Sequence, residues 1–132
     1  MNALKVIFYP VKTQQAKLEK LVQVATLHFE KKEPLLFLVP SEEVALFLDQ
    51  LFWKMPKEGF LPHPSHLLHI SDKVLPEFPC VFNLCKDPLF HPLKAVYELE
   101  DLTHPEKQAL SKKRYDLYKN HGYQVIMDTS NS

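Results

Sequence analysis

Three histidines at three-residue spacing, His63, His66 and His69, are the first residues in this chain that suggest chemistry. On a helix they could converge on a metal ion. Pro62 and Pro64 break a helix there, and no carboxylate follows until Asp72. They read as surface or turn histidines, and no metal or cofactor is expected. Asp87 and His91 could pair as an acid–base couple, but no nucleophile sits at a strained strand-to-helix turn to use them. Cys80 and Cys85 bracket an apolar run. If that run is a strand, five steps of about 3.3 Å set their Cα atoms roughly 16 Å apart, well beyond the ~7 Å that a disulfide tolerates. Buried free thiols in a reducing compartment are expected. Nucleotide chemistry is argued against by the glycines. Only Gly59 and Gly122 exist, and none falls in the turn after the first strand, where backbone amides would have to approach a diphosphate.

Two surfaces carry more information than these candidates. Wound as a helix, Glu42 to Lys54 gathers Val44, Ala45, Leu48, Leu51 and Phe52 on one side, with Leu46 and Trp53 among the polar residues opposite. Two accounts fit. Trp53 turns back into the core beyond the helix end, or Leu46 and Trp53 join Phe60, Leu61 and Pro62 in an exposed apolar patch of the kind that marks a partner site. The second surface lies between Lys107 and Lys119, where five cations face one anion, Asp116. Leu110 and Leu117 are expected to face the core, with Gln108, Ser111, Lys112, Tyr115 and Lys119 opposite. A charge run is commonly a solvated face. An aromatic ring among lysines also offers apolar contact beside charge, which suits an acidic peptide or a free C-terminal carboxylate. Single-stranded nucleic acid could stack there too, but one tyrosine and a few lysines are a small platform, and no strong direct nucleic-acid binding is expected.

The elements that must position these surfaces follow from periodicity and punctuation. Ala3 to Tyr9 reads as a strand stopped by Pro10, and Thr13 caps a helix with Leu18, Leu21, Val22, Ala25 and Phe29 on one stripe. Pro34 to Val39 reads as a strand covered on both faces, and Ser41 caps the second helix. Prolines from Pro56 to Pro79 exclude long helices, with a short strand near Leu67 to Ile70. Cys80 to Leu84 and Ala95 to Leu99 are further strands. Thr103 and Glu106 have capping-box spacing ahead of a last helix that Gly122 ends, and Tyr123 to Met127 returns as a strand. The expected fold is α/β, a mostly parallel twisted sheet with helices on both faces, with an irregular or antiparallel excursion in the middle.

At 132 residues the chain fits a single domain over 1–132, with 128–132 as a polar tail. Sixteen cations balance sixteen anions, which argues against general phosphate binding. No run approaches the roughly 20 apolar residues of a bilayer span, and no signal-peptide series opens the chain; a cytoplasmic protein is expected.

The series Leu48-Asp49, Trp53 and Phe60-Leu61-Pro62-His63, followed by Phe82-Asn83-Leu84, Phe90, Val96-Tyr97-Glu98-Leu99 and a helix with Arg114-Tyr115, Tyr118, Lys119 and Gly122, resembles the chi subunit of bacterial DNA polymerase III. The resemblance covers nearly the whole chain. It implies a Rossmann-like domain without catalytic residues, an accessory subunit linking the clamp loader to single-stranded-DNA-binding protein. It further implies a psi subunit docked near Trp53, Phe60 and Pro62, with Leu61 between them. The acidic C-terminal tail of single-stranded-DNA-binding protein is implied near Gln108, Lys112, Tyr115 and Asp116, with Lys119 adjoining. Gln108 and Asp116 depart from the cations usual there, and Lys31-Lys32-Glu33-Pro34 lacks the glycine that commonly precedes the second strand. The alternative is a small hydrolase-like α/β enzyme, which a deep pocket joining Asp87 and His91 would favour.

Overall fold

The computed structural model describes residues 4–54 and 67–129. Nine elements alternate along it: β1 (Lys5–Val11), α1 (Gln14–Lys31), β2 (Leu35–Leu38), α2 (Glu42–Lys54), β3 (Leu68–Ser71), β4 (Cys80–Asn83), β5 (Ala95–Asp101), α3 (Pro105–Asn120) and β6 (Gln124–Met127). The six strands form one sheet in the order β3-β2-β4-β5-β1-β6, and every pairing is parallel. The α/β, Rossmann-like expectation therefore holds. Of the irregular or antiparallel excursion, no antiparallel pairing occurs among the described residues, where β3 joins the sheet parallel to β2.

Period-2 alternation sorts the strand residues into two layers. Tyr9, Phe37, Phe82 and Leu99 pack with Leu21, Val24 and Ala25 of α1 and Leu48 and Phe52 of α2. Val6, Phe8, Leu36, Val81 and Val96 face the other way, toward Tyr118 of α3. Among the described residues, that second face carries only one helix. Two helix-free connections complete its cover, through Phe78 between β3 and β4 and through Leu89 and Leu93 between β4 and β5. Prolines are tolerated in both because neither has to be helical.

β1 runs past Pro10 to Val11 rather than stopping. Phe8 accepts from Asp128 N–H on the β6 side, so the nitrogen of Pro10, two residues on, faces that same side. β6 pairs only with Lys5 to Phe8, and the missing donor has no ladder bond to lose. Thr13 caps α1 by accepting from Ala16 N–H at 3.0 Å. At its other end Lys32 takes the left-handed conformation, φ 57°, with Glu33 N–H reaching back to His28 O. α3 ends in the same way with Gly122 at φ 80°, its N–H donating to Lys119 O and Tyr123 N–H to Tyr118 O.

Candidate functional site

α2 begins with Ser41 accepting from Val44 N–H at 3.3 Å, and Glu42 and Glu43 occupy the first turn, where the helix dipole favours carboxylates. Leu48, Leu51 and Phe52 are buried against the sheet. Leu46 is 59% exposed and Trp53 50% exposed, so the tryptophan does not turn back into the core. Phe60, Leu61 and Pro62 lie outside the described residues, as do His63 and His66. His69 is on β3 with its ring stacked on Phe78. Phe47, at the flank of the apolar stripe, is 49% exposed as well.

α3 sits about a quarter turn away from the orientation its leucines suggest, at 100° per residue. Its buried face is Ser111, Arg114 and Tyr118, while Leu110 is largely exposed. The reason is a polar core. Glu98, with no solvent exposure, accepts from Tyr118 OH at 2.6 Å, Asn83 Nδ2 at 2.7 Å and Arg114 Nε at 3.0 Å. Arg114 also donates to the carbonyls of Lys86 and Leu99, and Tyr118 OH accepts from Leu89 N–H. Ser111 Oγ accepts from Asp101 N–H and donates to Lys107 O. Thr103 is not the cap of α3; it bonds to Asp101, and His104 occupies the N-cap position without a side-chain bond. Burial pushes the Glu98 carboxyl up to about 7, against the opposing pull of Arg114 and its hydrogen-bond donors.

Arg114 therefore leaves the basic surface, and Ser111 leaves the exposed sector. Gln108, Lys112 and Lys119 stay on the outside in one stripe, with Tyr115 half-buried at its border. The Tyr115 ring meets Phe8 edge-on at 5.4 Å, and Lys119 Nζ lies 5.5 Å from its centroid. Asp116 pairs with Lys112 at 3.4 Å, leaving Lys107, Lys113 and Lys119 without an ion-pair partner among the described residues. The stripe therefore sets the Tyr115 ring beside two cations, Lys119 over the ring and Lys112 one turn back in its pair with Asp116.

A cleft of about 740 Å³ opens at the C-terminal ends of β4 and β5, between the starts of α1 and α2 and the flank of α3. Leu48, Leu99, Phe47 and Leu110 form apolar walls, and Lys17 and Asp101 pair at 2.7 Å beside them. Burial acts to raise the Asp101 carboxyl, but hydrogen bonds from Lys17 and Thr103 outweigh it and hold the group below its ordinary value. Asp87 lines the cleft and His91 does not. Cys85 also lines it, its thiol pushed up by burial and then by Glu98 and Asp87, which makes it a poor nucleophile. Both cysteines are free, and Cys80 is buried.

No helix among the described residues is long and apolar enough to cross a membrane. No curated protein matches the chain. One family model, that of the DNA polymerase III chi subunit, HolC, matches residues 4–126. The match takes in β1, the buried Asn83–Glu98–Arg114–Tyr118 network and nearly all of β6, so it describes the whole sheet rather than one motif. The chain belongs to the DNA polymerase III chi subunit family and has an accessory role in DNA replication.

Proposed function

We propose that this chain is a connecting subunit without catalytic residues, one domain acting in the cytoplasm, which links the clamp loader to single-stranded-DNA-binding protein. A psi subunit docks over Leu46 and Trp53 of α2, together with Phe60, Leu61 and Pro62. The acidic C-terminal tail of single-stranded-DNA-binding protein lies along Gln108, Lys112, Tyr115 and Lys119. The observation that carries the reading is the exposure of Leu46, Phe47 and Trp53 on a helix whose Leu48, Leu51 and Phe52 are buried, in a chain of the chi family. The enzyme alternative has less support, since Asp87 lines the cleft beside β4 and β5 and His91 does not.

Calorimetry with the two partners tests this. Trp53→Ala abolishes psi binding while stability stays within about 1–2 kcal/mol, because a hot spot on the surface contributes little to the free fold. A tail peptide ending in acidic residues and an aromatic carboxylate binds with micromolar affinity that falls with salt. The tail has to compete with Asp116 for Lys112. Asp116→Lys therefore tightens binding, and Lys112→Glu weakens it several-fold. Tail binding indifferent to both substitutions reduces the stripe to a solvated face.

A further inference from the structure

The edge of the sheet where the strands begin holds a cluster that neither docking surface uses. His28 near the end of α1, Glu33 in the turn into β2 and Cys80 at the start of β4 each present one ligand atom, and these atoms lie within 4.8 Å of one another. His28 and Cys80 are buried, and Glu33 is partly open to solvent. His28 Nδ1 is 3.0 Å from the carbonyl of Glu33, which can only accept, so Nδ1 carries the proton. Burial holds the imidazole below its ordinary pKa, and the neutral ring keeps its lone pair on Nε2. That lone pair accepts from the Tyr97 hydroxyl at 2.6 Å. A backbone carbonyl fixing one ring nitrogen while the other presents a lone pair is the arrangement that orients metal-binding histidines.

We propose that His28, Glu33 and Cys80 form a zinc site, with the Tyr97 hydroxyl beside the fourth position. An imidazole nitrogen, a thiolate sulfur and a carboxylate oxygen form a donor set suited to zinc, whereas calcium and magnesium call for oxygen alone. On binding, the Cys80 thiol releases its proton to solvent as the zinc–sulfur bond forms. His28 Nε2 exchanges the Tyr97 hydrogen bond for the metal. Glu33 exchanges its loose 3.5 Å contact with Lys94. Thiolate and carboxylate balance the two positive charges, and no group is oxidised or reduced. Zinc–ligand bonds of about 2.0–2.3 Å need donors roughly 3.5 Å apart, so the cluster closes by about 1 Å. Burial raises the Cys80 thiol, and affinity for the metal rises with pH in consequence. The ion ties α1, the turn into β2 and β4 together, a structural rather than a reactive role.

Cobalt(II) is the probe, because its thiolate complex absorbs in the near ultraviolet. The chelator-treated protein binds one equivalent with that absorption, and zinc removes it. Cys85→Ser retains the band, Cys80→Ser loses it, and Glu33→Gln weakens binding at least about ten-fold. Should circular dichroism show Cys80→Ser unfolded, the wild type, Cys85→Ser and Glu33→Gln decide between them. No thiolate absorption at one equivalent, a band that follows Cys85, or affinity unchanged by Glu33→Gln overturns the site.

Discussion

Glu98 lies beneath α3 with three donors on its two oxygens, and its protonation couples the fold to pH. Its carboxyl titrates near 4.5 when exposed and at about 7 in the fold, burial being the main cause. Between those values the folded chain holds a proton that the unfolded chain has released. Stability from this group is complete below pH ~4.5 and is lost as pH rises through 7. His28 runs the other way: its pKa is lowered, so its contribution is present above 6.5 and lost as pH falls through the folded value. Glu98→Gln removes only the first effect. Its stability relative to the wild type therefore rises by about 2–3 kcal/mol between pH 5 and pH 8, measured by urea unfolding at both. A difference that does not change with pH means the Arg114 ion pair keeps Glu98 charged throughout. Asn83, Glu98, Arg114 and Tyr118 were legible one by one as marks of the family. Their convergence was not, because four residues spread over 36 positions carry no record of pairing in a single sequence.

At the scale of elements, α1 and α3 close with the same backbone turn but different residues. Gly122 meets no steric objection at φ 80°, whereas Lys32 holds φ 57° with a Cβ that crowds the backbone. Lys32→Gly should raise stability by about 0.5–1 kcal/mol, the greater freedom of glycine in the unfolded chain offsetting part of the gain. Gly122→Ala should lower stability by about 1 kcal/mol; its added methyl meets no atom within 4 Å, so the loss reflects backbone conformation alone. Thermal melts of the two variants compare the positions directly, and equal effects of the same sign refute the argument. The glycine at the end of α3 was legible as a stop, and so was the absence of one before β2. The rotation of α3 was not, since counting apolar residues points to Leu110 and Leu117. The helix instead buries Ser111 and Arg114, whose polar atoms find partners on β5. A polar face that is fully satisfied looks, in sequence, like a solvated one.

For the whole molecule, the two helices that carry the proposed docking surfaces lie on opposite faces of the sheet, α2 with α1 on one and α3 on the other. Partners on them need not touch. The tail peptide should bind with the same affinity, within about two-fold, whether or not the psi surface is saturated, and a ternary complex should form by simple addition. A ten-fold change in calorimetry means that the sheet couples the two sites by about 1.4 kcal/mol. Strands, helices and a mostly parallel sheet were legible because buried strands read as unbroken apolar runs; that β3 also runs parallel was not. The strand order was not, as nothing in the chain says which strands become neighbours. That order has a consequence during synthesis. β1 leaves the ribosome before the other five strands, but both of its neighbours, β5 and β6, are encoded after residue 94. A nascent chain that has reached β3 can pair β2 with β3 yet leaves β1 as an unpartnered apolar ribbon. The sheet closes at its centre only when the last third arrives, and until then β1 exposes apolar surface that its own neighbours have yet to cover.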